Sequence, residues 1–463
     1  MKLYLKECNK IITSVVYYIF IVLFMVNWCQ NFYGVTKEEI DLANGGKAKE
    51  ISFNRPLLVK PSEEDTFFGS KSVENPEKIM TGAAEALLRE YKNNSYATYP
   101  LGYYKAVSLN ESKQKRVLII LCEITGLTKK QLDDLPEDYF PAVNGTTIHF
   151  GASQTDRSGS FNIKIGSENI QPAKIDKTKK FVPQVTYDHF KELMSEMEKI
   201  IGEKGSKYSM GMMLTYFGIT EMNYNEAMVE YQQTINEDKV TNGFARLFCD
   251  YTGQALGLYP VFLIVILWMK DRRYRMNELI FNKNISSAKF VLVRCLANIT
   301  MILLPIILLS LESLIPLIEY GSKTGIPVDY FAFIKYILWW LLPTVMIVNA
   351  LGMFFTLLTD TPIAILVQFM WWIIDRGTTG LSGDTSLLTL MVRHNSLRGY
   401  EVIQQNFEII CINRFCMTGL SIFLIVLSMW ILSLKRKGKV NAANIYTRWF
   451  RFVKSKLPVV HKR

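Results

Sequence analysis

Two glycine–lysine pairs are the nearest approach of this sequence to a loop that binds nucleotide phosphates. Such a loop reads G-x-x-x-x-G-K-[ST], because its backbone amides and its lysine surround the phosphates. Here Gly46-Lys47 is followed by alanine, and Gly438-Lys439 is followed by valine. The sequence also lacks the HExxH and GxSxG motifs of metalloproteases and serine hydrolases. It therefore gives no support to ATP binding or to a catalytic centre in this chain.

The metal-ligating residue types show no ligand pattern either. No two of the seven cysteines are spaced as CxxC, and most lie in or beside apolar runs. We interpret them as small hydrophobic residues rather than as a disulfide framework or a metal site. His149 and His189 are predicted to be surface or hydrogen-bonded residues rather than ligands, so no metal is expected.

Three polar residues lie within apolar stretches and are candidates for a substrate path: Glu312, Asn349 and Gln368. Polar and ionisable groups inside a membrane are costly, which makes them functional candidates by default. The alternatives are that Glu312 lies near the outer end of its span and that the two amides form hydrogen bonds between helices. Arg246 and Asp250, spaced i,i+4 before an apolar run, predict a surface ion pair on a helix.

The composition indicates that these residues lie in a membrane protein. The chain has 463 residues and a net charge of +11, with a mean hydropathy of +0.12. A positive hydropathy argues against a freely soluble protein. Excess basic charge in a polytopic chain is typical of cytoplasmic loops, so we do not expect nucleic-acid binding.

The first apolar run covers residues 11–28, about the minimum length for a span. A cleaved signal peptide is the alternative, but this run is too long and no A-x-A-like site follows it. We predict an uncleaved first span with its N-terminus inside the cell.

Residues 31–253 contain no run that could cross a bilayer and are predicted to form one mostly helical domain with a small β element. Helices are predicted from Pro76, near Thr128, over 186–201 and over 223–235, whereas 117–124 suits either a helix or a strand. Short strands are predicted at 146–150 and 160–165.

Five further apolar runs follow, at 255–269, 291–318, 330–351, 363–374 and 415–434. The run 363–374, about 12 residues, suits a partial or re-entrant helix better than a full span. Counting six crossings from an inside N-terminus places the large domain outside. It also places the basic loop 270–294 and the basic tail 435–463 inside, as the positive-inside rule requires.

This layout and several local motifs resemble the permease subunits of type-2 ABC exporters. Those permeases have a first span, an outer domain, a second span, a cytoplasmic coupling helix and four more spans. The motifs that carry the resemblance are Asp271-Arg272-Arg273, Asn277-Glu278-Leu279-Ile280, Ile285-Ser286-Ser287, Asn413-Arg414 and Lys435-Arg436-Lys437-Gly438.

The resemblance implies an α-helical polytopic protein of about six transmembrane helices, with a large extracellular domain between the first two. Its parts would be 1–30 (N-terminus and first span), 31–253 (extracellular domain), 254–434 (membrane domain with a coupling segment at 271–288) and 435–463 (tail). ATP and Mg²⁺ would be bound by a separate cytoplasmic ABC ATPase subunit, and this chain would bind no cofactor. A second permease subunit, identical or different, and a bacterial plasma membrane are also implied.

The segment after the second span is the expected coupling element. Met276, Leu279 and Ile280 have the spacing of one helix face, which could dock into a groove on the ATPase. Arg272, Arg275 and Glu278 surround that face and could set the orientation of docking. The alternative is a basic helix held against anionic lipid.

Two other classes of function stay open at this stage. The chain could be a membrane-anchored receptor or sensor with an extracellular ligand-binding domain, although no cytoplasmic output domain is evident. It could also be a membrane enzyme acting on lipid or cell-wall intermediates, although no convergent acid, base or metal set is evident. The substrate is not specified by the sequence.

Overall fold

The computed structural model describes residues 1–46, 55–99, 104–135, 139–140, 181–202, 205–274, 284–376 and 387–439. The chain forms two compact units. Met1–Glu63 and Asn225–Arg463 make up the first, here called the membrane unit, and Glu64–Tyr224 make up the second, the inserted unit. The predicted domain 31–253 is wider than the inserted unit at both ends.

The membrane unit is built from helices. Before the insertion these are α1 (Lys2–Ile12), α2 (Val15–Asn31) and α3 (Val35–Ala43). After it come α9 (Tyr224–Gln232), which starts at the last residue of the inserted unit, a π-helical turn (Gln233–Glu237), α10 (Thr241–Leu256), α11 (Tyr259–Arg273), α12 (Ser287–Thr324), α13 (Ala332–Tyr336), a second π-helical turn (Ile337–Leu341), α14 (Leu342–Thr359), α15 (Ile363–Arg376), α16 (Tyr400–Gln405) and α17 (Phe407–Arg436).

Four helical segments in the described part of the chain are long and apolar enough to cross a membrane: Val15–Ala43, Ser287–Thr324, Ala332–Thr359 and Phe407–Arg436. The pair α10 and α11, bent by 42°, makes a fifth if it is one broken span. The protein is therefore a mostly helical, multi-pass membrane protein. The short helix α15 has 14 residues, about 21 Å, against a bilayer core of about 30 Å.

Exposed apolar side chains follow one face of the long helices, as expected for surfaces in contact with lipid. On α12 they recur at helical spacing, with Leu292, Leu296, Leu304 and Leu308 between 44% and 59% exposed. On α2, Phe20, Phe24 and Trp28 are buried on the side opposite to its exposed residues, and Phe20 stacks on Phe24 at 6.3 Å. The apolar run thus divides into a packed face and a lipid face.

Several span boundaries differ from the sequence prediction. α1 ends at Ile12, so the first span begins at Val15 rather than at residue 11. α12 is longer than the predicted run 291–318 at both ends. α17 begins at Phe407, before the predicted run 415–434, and the short helix α16 precedes it. Hydropathy marks only the part of each helix that is apolar, and polar turns continue beyond it.

Side-chain contacts define two ends of the membrane unit. At the end that we call basal, Lys10 lies 2.5 Å from Asp271 and Lys435 lies 2.8 Å from Asp360. At the opposite end, Tyr251 donates to the Asn395 side chain over 2.9 Å. The N-terminal helix, the end of α11, the turn after α14 and the end of α17 thus share one end.

The inserted unit has five helices and two small sheets in its described residues. The helices are α4 (Pro76–Asn93), α5 (Glu111–Thr125), α6 (Lys129–Asp133), α7 (Tyr187–Ile201) and α8 (Met210–Phe217). Strand β1 (Ser70–Ser72) pairs antiparallel with β4 (Ile219–Glu221), with Lys71 opposite Thr220. β2 (Tyr96–Thr98) pairs antiparallel with β3 (Lys105–Val107), with Ala97 opposite Ala106.

Local capping explains where the helices of the inserted unit begin. The Asn75 side chain accepts from the amide of Lys78 over 3.2 Å, and Pro76 occupies the first helical position. Thr186 caps α7 in the same way. The helices predicted from Pro76, after Thr128 and over 186–201 are confirmed, and 117–124 is helical. The strands predicted at 146–150 and 160–165 lie outside the described residues.

Candidate functional site

The predicted coupling residues fall at the edge of what the structure describes. Arg272 lies in the last turn of α11. The other predicted coupling residues, Arg275, Met276, Glu278, Leu279 and Ile280, lie outside the described residues. The helices that hold this segment at its two ends are described, and they carry the clearest electrostatic feature of the basal end.

Four charged residues join α1, α11 and α12 at the basal end, and we call them the basal ion network: Glu7, Lys10, Asp271 and Arg294. Arg294 Nη2 lies 2.5 Å from Asp271, and its Nε lies 3.3 Å from Glu7. Lys10 Nζ contacts the other Asp271 oxygen at 2.5 Å. Two acids and two bases therefore compensate one another in a site where Arg294 is only 2% exposed.

Aromatic packing holds the arginine of this network in place. The Arg294 guanidinium lies 4.3 Å from the ring centroid of Trp268 and 5.4 Å from that of Phe290. Such cation–π contacts contribute about 0.5–2 kcal/mol each.

The sequence interpretation had placed Arg294 in a cytoplasmic loop, and that placement is wrong: the residue lies within α12. Its position inside an apolar run was the available signal.

The three predicted path residues lie in separate places. Glu312 is on α12, where it accepts from Ser313 Oγ over 3.0 Å and lies 4.0 Å from Lys37 Nζ. Asn349 on α14 accepts from Asn298 over 3.0 Å. None of the three path residues is hydrogen-bonded to another in the described part of the chain. Asn349 and its partner therefore act as a bridge between two helices.

The side chain of Gln368, on α15, reaches the break between α10 and α11. Its Nε2 donates to the Gly257 carbonyl over 2.6 Å, and Trp372 Nε1 donates to the Gln254 carbonyl over 2.9 Å. A bend in a membrane helix frees backbone carbonyls, which must find donors because lipid supplies none. The short helix α15 supplies two of them.

An irregular stretch, residues 387–391, follows α15 in the chain, and side chains from other segments form hydrogen bonds to its backbone. Asp375 accepts from the amides of Leu390 and Met391 over 2.8 and 3.0 Å. On the carbonyl side, Asn413 donates to Leu387 and Thr389, Arg414 to Thr389 and Leu390, and Thr344 to Leu390. Non-helical backbone is tolerated at membrane depth only when its polar groups are satisfied in this way.

Arg414 also ties this stretch to α14. Its Nη1 donates to the Trp340 carbonyl over 3.0 Å and to Thr344 Oγ1 over 2.9 Å, and the residue is 3% exposed. The sequence marked Asn413-Arg414 only as a family-like motif. Its role in satisfying backbone carbonyls depends on contacts between distant segments, which sequence alone does not provide.

The prediction that Arg246 and Asp250 form a surface ion pair is wrong. Both residues are buried, and Arg246 instead binds Asp238 through both guanidinium Nη atoms. Asp250 lies 2.7 Å from Arg393 Nε and accepts from the amides of His394 and Asn395, both over 2.5 Å. These partners come from other segments, so the i,i+4 spacing was misleading.

No protein-family model matches this sequence, and neither the curated proteins nor the solved structures that were compared with it include a match.

Proposed function

We propose that this chain is the membrane-spanning permease subunit of an ABC transporter, an exporter of the type-2 kind, driven by ATP hydrolysis in a separate subunit. The observation that carries the proposal is the basal ion network. It ties the end of α11 to α1 and α12 through Asp271 and Arg294. A displacement of the adjoining coupling segment would therefore move α1, α11 and α12 together.

The helix ends that lie together at the basal end support the proposed topology of six crossings. Lys10, Asp271, Asp360 and Lys435 share the basal end, as six alternating crossings from an inside N-terminus require. In this proposal α15 and residues 387–399 form one discontinuous crossing. The basal end faces the cytoplasm, where basic residues are favoured, and the inserted unit is extracellular.

The partner subunit supplies the energy. Because neither glycine–lysine pair completes a phosphate loop, ATP and Mg²⁺ are assigned to a cytoplasmic ABC ATPase. Met276, Leu279 and Ile280 form the docking face, and a second permease subunit completes the transporter. Glu312, Asn349 and Gln368 remain candidates for the substrate path.

Co-purification tests this proposal. The tagged chain is extracted from native membranes in a mild detergent, and we expect a stoichiometric protein with a complete Walker A motif and ATPase activity. Met276→Asp combined with Leu279→Asp should release that protein while membrane abundance is unchanged. Glu278→Lys should weaken retention, whereas the same charge change at exposed Glu63 (Glu63→Lys) should not.

Two results would overturn the proposal. The first is full retention of the ATPase by the double aspartate variant, which would remove the coupling role of the segment. The second is ATP hydrolysis by the chain itself after every Walker-containing protein has been removed.

A further inference from the structure

A cavity of about 630 Å³ opens at the basal end. This volume lies in the range of small-molecule and cofactor sites. Its walls come from α1, α11, α12 and α17 and from the residues just before α12. They include a basic group, formed by Lys6, Lys10, Lys270 and Arg436, and an apolar group, formed by Leu3, Ile285, Phe290 and Leu432.

The acidic residues of the cavity are already neutralised. Glu7 lies 3.3 Å from Arg294, and Asp271 is in contact with both Arg294 and Lys10. Lys6 and Lys270 are exposed and have no ionic partner among the residues that the structure describes. The cavity therefore presents uncompensated positive charge.

The cavity adjoins the lipid-facing surface of the protein along α11. Lys270 lines the cavity, and Ile266 and Phe262, one and two turns before it on the same face of α11, are each 40% exposed. A ligand that fits both walls must have an anionic head and an apolar tail.

We propose that this cavity binds an anionic phospholipid. The phosphate lies against Lys6 and Lys270, and the acyl chains pack against the apolar wall and against Ile266 and Phe262. The proposal uses no residue of the docking face assigned to the ATPase, and it does not depend on that assignment. A protein partner would match the lysines but would not use the lipid-facing residues that precede Lys270 along α11.

Lipid retention by the purified full chain tests the proposal. The chain is delipidated in detergent and mixed with equal amounts of phosphatidylglycerol and phosphatidylcholine, and bound lipid is counted by native mass spectrometry. We expect phosphatidylglycerol to be retained preferentially. Each lysine near an anionic lipid contributes about fivefold, so Lys6→Gln with Lys270→Gln should weaken retention about 25-fold.

Matched controls separate the cavity from general surface charge. Lys2 and Lys437 are exposed but do not line the cavity, so Lys2→Gln with Lys437→Gln should retain phosphatidylglycerol as the unaltered chain does. Leu3→Glu tests the apolar wall and should also abolish the preference. Leu5, 57% exposed on the same helix, provides the control Leu5→Glu. Size-exclusion profiles show that each variant is folded.

Four outcomes would overturn the assignment. Equal retention of the two lipids would show that the cavity has no preference for an anionic lipid. An equal loss of phosphatidylglycerol in the Lys2 and Lys437 control would show that the retention comes from surface charge in general. Displacement of the lipid by millimolar inorganic phosphate would identify a soluble phosphate as the ligand. If the Lys6 and Lys270 variant instead released a co-purifying protein with no change in lipid, the cavity would be a protein contact.

Discussion

Gln368 donates from its Nε2 to the backbone carbonyl of Gly257 over 2.6 Å. The contact joins the short helix α15 to the break between α10 and α11, where the helical hydrogen-bond ladder is interrupted. It explains how a bent helix can persist in a membrane: the carbonyl freed by the bend has a donor inside the protein.

Gln368→Met keeps the approximate size of the side chain and removes the donor. A buried carbonyl left without a partner costs about 1–3 kcal/mol, so we expect a lower free energy of unfolding and a lower thermal midpoint in detergent. Gln404→Met, at an exposed position of α16, is the control and should leave the midpoint unchanged. A midpoint for Gln368→Met equal to that of the control would show that the hydrogen bond contributes nothing to stability.

Substitution of Arg414 should destabilise the protein more than Gln368→Met, because Arg414 donates to several carbonyls at once. Lysine cannot reproduce the planar fork of the guanidinium, so Arg414→Lys should leave some of the carbonyls of Trp340, Thr389 and Leu390 unpaired. We expect a loss of several kcal/mol and reduced accumulation in the membrane. Asp375→Asn, which can still accept one of two backbone amides, should have a smaller effect. Fluorescence-detected size exclusion measures the amount of folded protein in a fixed quantity of membrane.

If Arg414→Lys accumulates to the normal level and melts normally, residues 387–391 do not depend on this arginine. The inference that an irregular segment is stabilised by buried side chains would then rest on Asp375, Asn413 and Thr344.

The sequence predicted the apolar helices better than the polar contacts between them. The runs that became α2, α12, α14 and α17 were identified because hydropathy is a local property. The start of α4 at Pro76 was also identified, because the preference of proline for the first helical position is local. The partners of Asp250 lie more than 140 positions away, so its burial could not be inferred from neighbouring residues. The i,i+4 spacing to Arg246 suggested a pair that the fold does not make.

A double-mutant cycle can measure how strongly the basal ion network is coupled. Lys10→Met and Asp271→Asn, alone and together, should give an interaction energy of about 0.5–3 kcal/mol, because Asp271 is 10% exposed. The pair of Lys335 and Asp329, 2.8 Å apart with the lysine 48% exposed, is the reference. Exposed pairs contribute about 0.2–1 kcal/mol. Equal interaction energies in the two cycles would argue against a mechanical link through this network.

His189 should titrate with a raised pKa. Hydrogen bonds to Glu123 and Glu192, at 2.7 and 3.2 Å from the ring nitrogens, raise the pKa of His189. The unfolded reference is about 6.5.

The sign of the stability effect follows from this shift. His189 stabilises the fold below about pH 6.5, and that contribution is lost as the pH rises through its folded pKa. NMR of ¹³C-histidine in the full chain, assigned with His189→Gln, checks the direction. A His189 pKa at or below about 6.5 would contradict the role of the two carboxylates.

The proposed orientation predicts which sites are reached from outside the cell. Lys92 is exposed on α4, Lys323 is exposed at the end of α12 opposite to the basal end, and Lys437 follows α17 at the basal end. After Cys29 and Cys416, the exposed native cysteines, are changed to serine, single cysteines are placed at these three positions. In intact cells an impermeant maleimide should label Lys92→Cys and Lys323→Cys. It should label Lys437→Cys only after the membrane is broken, since the basal end is assigned to the cytoplasm.

Permeabilised cells, in which all three should react, control for accessibility. Labelling of Lys437→Cys but not Lys92→Cys in intact cells would reverse the orientation, and a cytoplasmic ATPase could not then reach the basal end.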